Sequence, residues 1–112
     1  MDAKTMEAKI KALEKKVGLL EDRNEVIRLQ RVYSYYVMHM MRDEIYDCFA
    51  DRKDVELKWL EGTWKGKEGV KRYFGVGSDR PEPPPGFLHQ VMPIAGVVDV
   101  APDGKTAKGR WY

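Results

Sequence analysis

At 112 residues, with 43% apolar and 34% charged side chains, the chain has the length and balance of one globular domain with a single core. Its 20 basic and 18 acidic residues are interspersed and leave a net charge of +2, with no basic block or stripe, which excludes nucleic-acid binding as its main role. The single cysteine, Cys48, excludes an internal disulfide and points to a reducing, cytoplasmic setting; no stretch nears the roughly 20 apolar residues of a membrane span, and the opening Met-Asp-Ala-Lys-Thr-Met lacks the apolar run of a signal peptide.

Ile10, Leu13, Val17 and Leu20 recur at spacings of three and four, so residues 1–21 read as an N-terminal amphipathic helix. Barely two heptads are present, too few for a free-standing coiled coil. The helix is expected to pack on its own domain or on a neighbouring subunit. Asp22 and Glu25 then have capping-box spacing, which predicts a second helix from about Arg23 through the tyrosines to about Met40. Arg42 to Phe49 reads as a short third helix with Ile45, Cys48 and Phe49 on its inner face, and Ala50 to Asp54 as a polar exit.

From Val55 the period changes to two. Val55 to Leu60 alternates apolar and charged residues as a half-buried strand does. Glu61-Gly62 reads as a turn, Thr63 to Lys65 as a return strand, and Gly66 to Phe74 as a helix with Val70, Tyr73 and Phe74 facing in. Residues 75–86 hold four prolines and three glycines and must form a loop. Phe87 to Met92 and Val97 to Ala101 read as strands, Pro102-Asp-Gly104 as a tight turn, and Lys105 to Tyr112 as a last strand. Helices followed by strands, with one helix inserted among them, define an α+β fold: a helix over 1–21 and a domain over 22–112, its helices lying on one face of a mostly antiparallel sheet. A sheet ending at Gly109-Arg-Trp-Tyr112 would carry an open apolar edge.

Residues 31–44 gather three tyrosines, three methionines, a histidine and Arg42 at a helix end. That composition suits a small-molecule pocket or an adhesive surface. Trp59, Trp64 and Trp111 are expected in the core or a pocket wall. His39 reads as a partly exposed surface histidine, and Lys65-Gly-Lys67 as a solvated turn. Two histidines and one cysteine without ligand spacing give no metal site, and Gly75-Val-Gly77 lacks the strand-before, helix-after context of a phosphate loop, so no cofactor is expected.

Ile27 to Phe49, Gly62-Thr-Trp-Lys-Gly-Lys-Glu-Gly-Val70, His89 and Asp103-Gly-Lys-Thr-Ala-Lys-Gly-Arg-Trp-Tyr112 together resemble the SnoaL-like branch of the nuclear-transport-factor-2-like superfamily. That branch includes polyketide cyclases, scytalone dehydratase and bile-acid 7α-dehydratase. The likeness begins at Met6 and covers nearly the whole chain. It implies a cone-like, strongly curved sheet wrapped on the helices, with a hydrophobic pocket at its open end. It also implies further strands beyond Tyr112, which this sequence lacks. Dehydratase-type members carry a tyrosine, an aspartate and a histidine in the pocket; Tyr33 and His89 stand at two of these positions and Met38 at the third. Arg42 stands where a tryptophan is common.

The implied reaction is proton abstraction next to a carbonyl, followed by loss of water or ring closure. His89 would be the base and Tyr33 the donor to the developing enolate oxygen. A carboxylate would fix the imidazole tautomer; Met38 cannot, so the acid–base apparatus reads as impaired. Tyr36, Met38, Phe49, Trp59, Trp64 and Trp111 are the expected pocket lining, and a hydrophobic small molecule the expected ligand. The alternative is a natural or engineered protein-binding module that uses His39, Met40, Met41 and Arg42 against an acidic protein partner. Self-association is also expected, giving a homo-oligomer through the Lys105–Tyr112 edge or the Ile10–Leu20 seam.

Overall fold

A computed structural model describes residues 2–112. The first helix, α1 (Ala3–Met38), is continuous over 36 residues. Asp2 caps it, its Oδ1 accepting the Thr5 N–H at 2.7 Å, and this hydrogen bond holds the Asp2 carboxyl below the ordinary range. The second helix start expected at Asp22 does not exist. Asp22 and Glu25 lie exposed inside α1, where acidic side chains are tolerated, and no proline between Leu20 and Val26 interrupts the hydrogen-bond ladder.

The C-terminal end of α1 is closed by backbone geometry. Met40 adopts the left-handed conformation at φ 54°, Met41 N donates to Tyr36 O at 2.9 Å, and Met40 N donates to Val37 O at 3.2 Å. This is a Schellman closure with methionine where glycine is usual, a conformation that L side chains adopt at a cost of about 1–2 kcal/mol. Helix α2 (Arg42–Asp47) follows, with Asp43 and Glu44 in its first turn, where the helix dipole favours acids. It ends two residues short of the expected Phe49.

Strands β1 (Glu56–Trp59) and β2 (Gly62–Lys65) pair antiparallel, and α3 (Gly66–Phe74) follows directly. Gly75, left-handed at φ 68°, stops α3. The predicted strand over 87–92 does not form: the segment runs without a ladder between the Pro83–Pro85 cluster and Pro93, and Phe87 and Leu88 are exposed. Strands β3 (Val97–Val100) and β4 (Ala107–Arg110) make a second antiparallel pair. Both ladders are short and two-stranded, and neither curls.

The chain divides into two compact units, one of residues up to Arg31 with Pro93–Tyr112, the other Val32–Met92. In the second, Ile45, Leu57 and Val70 are buried, and Gly69 lets α3 lie against Trp64, because a Cβ there would meet the Trp64 carbonyl carbon at 2.9 Å. Lys67, expected in a solvated turn, sits in the first turn of α3. Its Nζ donates to Phe49 O at 2.8 Å and lies 4.2 Å from the centre of the Tyr46 ring.

In the first unit, Val98 is buried and the Trp111 indole lies over Gly96 and Gly109, where a Cβ at either glycine would overlap the ring. Ile94 and Tyr112 exchange both backbone hydrogen bonds at 2.9 Å, so pairing resumes beyond the four-residue β4. Among the described residues no helix is long and apolar enough to cross a membrane.

Two glycines of this unit give opposite expectations. A Cβ at Gly18, inside α1, would meet nothing within 4 Å, so Gly18→Ala should raise unfolding stability by about 1 kcal/mol in chemical denaturation. Gly109→Ala should lower it and change the Trp111 fluorescence, because the ring must leave its seat.

Candidate functional site

The second unit lines a half-open cavity of about 520 Å³. Helix α1 contributes Tyr33 and Val37, one turn apart on the same face, and the closing turn contributes Met40. Arg42 and Ile45 come from α2, Trp59 from β1, Tyr73 and Phe74 from α3. Arg80 stands on the proline-rich loop, and His89 and Val91 on the extended segment after it. The wall is thus mainly aromatic and aliphatic, with two phenols, an imidazole and two guanidinium groups set into it. None of its residues is Asp or Glu.

Tyr33 is fixed by edge-on aromatic contacts to Phe49 and Phe74, with ring centres 5.9 and 6.3 Å away. Burial, aided by Tyr73 and Cys48, pushes its phenol up to about 12. Like an ordinary phenol, but with a wider margin, Tyr33 is protonated at neutral pH and can donate or accept a hydrogen bond there. Burial likewise raises the Cys48 thiol, which Asp47 reinforces. Trp59 stacks on Tyr73 with centres 5.4 Å apart, and Tyr73 meets Phe74 edge-on at 4.8 Å, so the wall on this side is one continuous aromatic layer.

The two arginines hold backbone. Arg42 Nη1 donates to Arg80 O at 3.1 Å, Nη2 to Pro81 O at 3.3 Å, and Glu82 lies 3.7 Å from Nη1. Its side chain is 12% exposed, and its buried Nε–H has no acceptor among the described residues. Arg80 turns back to α3, donating to Tyr73 O at 3.0 Å and Arg72 O at 3.4 Å, which satisfies carbonyls of the helix's last turn. The loop is thereby pinned from both sides.

Of the residues singled out from the sequence, Tyr33 and His89 lie on one wall, with Trp59, Met40 and Arg42. Met38 does not: five residues beyond Tyr33, it is rotated by about 140° around the helix, and the position facing the cavity one turn on is Val37. Tyr36 meets Tyr35 edge-on at 6.2 Å, and Phe49 and Trp64 stand behind the wall as supports for Tyr33 and Tyr73. Trp111 belongs to the other unit. His39 is exposed, with its ring 4.3 Å from that of Tyr35, and Met41 is half-buried. Arg42, expected to anchor an acidic partner, is enclosed and engaged with its own chain.

Ile45, Tyr73 and Phe74 were legible as inward-facing by helical spacing, though not as pocket wall. Arg80 and Val91 carried no signal in the sequence, because only the folded loop brings them to the cavity. Among the described residues no group of three or more His, Cys, Asp or Glu has the arrangement of a metal site.

An α+β unit whose helix end, hairpin and loop line a half-open, mainly apolar cavity that holds a half-buried phenol and an imidazole has the form of a small-molecule pocket. Residues 19–112 match the family model of the SnoaL-like domain, and the chain belongs to that family within the nuclear-transport-factor-2-like superfamily. No curated protein sequence matches the chain.

The raised Tyr33 phenol sets a pH dependence. In the unfolded chain it ionises near pH 10, in the folded one near 12, so the folded state holds the proton more tightly and its contribution is complete below pH 10. Stability should fall as pH rises from 10 towards 12, and Tyr33→Phe should flatten that fall in denaturation midpoints measured across the window.

Proposed function

We propose that the Val32–Met92 unit binds a hydrophobic carbonyl compound of aromatic or polycyclic type, with binding dominant over turnover. The observation that carries this reading is the placing of Tyr33 and His89 on the wall of one largely apolar cavity. The Tyr33 hydroxyl donates to the ligand's carbonyl oxygen, which gains negative charge if a neighbouring proton is removed. The Arg42 guanidinium, its Nη groups engaged with Arg80 O and Pro81 O, sets a positive charge in the same wall, which favours a ligand that brings an electron-rich oxygen.

The reaction open to this site follows the family pattern. His89 takes a proton from the carbon next to the carbonyl, the electron pair moves into the enolate, and Tyr33 with Arg42 stabilises the oxyanion. The wall has no carboxylate to fix the imidazole tautomer or to balance its positive charge once protonated. Val37 occupies the cavity-facing position next to Tyr33, and Met38 beside it is a thioether, so neither can supply that carboxylate. The acid–base step is therefore slow and the pocket acts chiefly as a receptor.

Titration of the full chain with a panel of aromatic hydroxy-ketones, followed by the fluorescence of Trp59 in the wall, tests the reading. Saturable binding is expected, weakened roughly 3- to 10-fold by Tyr33→Phe through the loss of one hydrogen bond. His89→Ala should leave the affinity nearly intact and abolish residual proton exchange at the ligand's α-carbon, read by deuterium uptake. Absence of saturable binding across the panel, or affinities and exchange unchanged in both variants, would reject the assignment.

A further inference from the structure

The first half of α1 carries an apolar stripe that its own chain leaves uncovered. Met6, Ile10, Leu13, Val17 and Leu20 follow one another at alternating spacings of four and three, and each is between 50 and 60% exposed. In heptad terms Ile10 and Val17 are at position a, and Met6, Leu13 and Leu20 at position d. Further on, Asn24 and Ile27 line a groove with Pro93, Ala95 and Trp111 of the same unit, and the free seam ends at Leu20. The helix needs no partner to exist, since it continues unbroken to Met38.

What covers this seam is written in the charges beside it. The e positions are Glu7, Glu14 and Glu21; the g positions from the second turn on are Lys9, Lys16 and Arg23. In a parallel, in-register pair each g residue faces the e residue five positions later on the other helix. Lys9 then meets the partner's Glu14, and Lys16 meets the partner's Glu21, each twice by symmetry. In an antiparallel pair g faces g and e faces e, which would set lysine against lysine and glutamate against glutamate. β-Branched residues at a with leucine at d further select two strands over three or four.

We propose that α1 pairs with α1 of a second copy of this chain as a parallel, two-stranded coiled coil over residues 6–21. Like charges bound it at both ends, with Asp2 facing the partner's Glu7 and Arg23 facing the partner's Arg28, so the pairing is confined to the middle stretch. The Glu7–Lys11 ion pair at 3.5 Å within each helix leaves Lys9 and Lys16 free to reach across. The interface is isologous and closes on itself, so assembly stops at the dimer.

Sedimentation equilibrium on the full chain is the direct test, with circular dichroism confirming that each variant keeps its helix. Wild type should sediment as a dimer. Lys9→Glu with Lys16→Glu, and separately Glu14→Lys with Glu21→Lys, should each lower the association constant roughly tenfold or more, and mixing the two double variants should restore it. In a Cys48→Ala background, Val17→Cys, at an a position inside the paired stretch, should form an interchain disulfide on oxidation, because Val17 faces Val17 only in the parallel, in-register arrangement. A monomer up to millimolar concentration, a trimer, association indifferent to both charge reversals, or a Val17→Cys protein that does not cross-link would each overturn the proposal.

Discussion

The candidate site depends on one packing arrangement, the cluster in which Tyr33 is held edge-on by Phe49 and Phe74. These three rings come from α1, from the exit of α2 and from the end of α3. They lie far apart in sequence and meet only once the hairpin has folded back. Their geometry matters more than their area. Edge-on contacts fix the direction of the Tyr33 ring, and with it the place where the hydroxyl meets the cavity. Burial in this cluster raises the phenol further above its ordinary value, to about 12, so its ionised form is disfavoured well into the alkaline range.

Around that cluster, backbone groups are held by long cationic side chains. Arg42 and Arg80 tie the proline-rich loop to α2 and α3, and Lys67 ties the exit of α2 to α3. Each places a charged donor on carbonyls that have no ladder partner, where charge-assisted hydrogen bonds are strongest. This explains how a segment with four prolines keeps a defined course without secondary structure. The left-handed Met40 has a similar logic. It closes α1 at the expense of local strain and so brings a flexible, apolar side chain to the cavity wall.

The membership of the SnoaL-like family and the composition of the wall bear on function in different ways. The family gives the ancestry of a small-molecule pocket. The wall shows what this chain has made of it: two phenols, an imidazole and two arginines, with no acidic residue among them. Such a surface favours electron-rich oxygen and gives an imidazolium no counter-charge. The proposed receptor role rests on this balance, in which recognition is favoured over proton transfer.

The local periods in the sequence were sufficient for α3, for the two hairpins and for the loop between Gly75 and Gly86, because each is decided by near neighbours: Gly75 ends a helix, and alternating residues pair across a short turn. Tyr33 and His89 stand out as candidates only through the resemblance to the SnoaL-like family, since residue type by itself fits core packing equally well. Three things were not legible in the sequence. The spacing of Asp22 and Glu25 signals a helix start as readily as it fits a helix interior, and only the uninterrupted backbone ladder decides between them. The segment 87–92 has strand composition but no partner strand, and a strand exists only where another supplies its hydrogen bonds. The rotation that sets Val37 instead of Met38 beside Tyr33, and the loop course that brings Arg80 to the same wall, arise from packing between distant elements. The residue types and their local order were therefore fixed by the sequence alone, whereas which of them share a cavity was decided by tertiary contacts, because a side chain's neighbours across space are set by how whole elements pack.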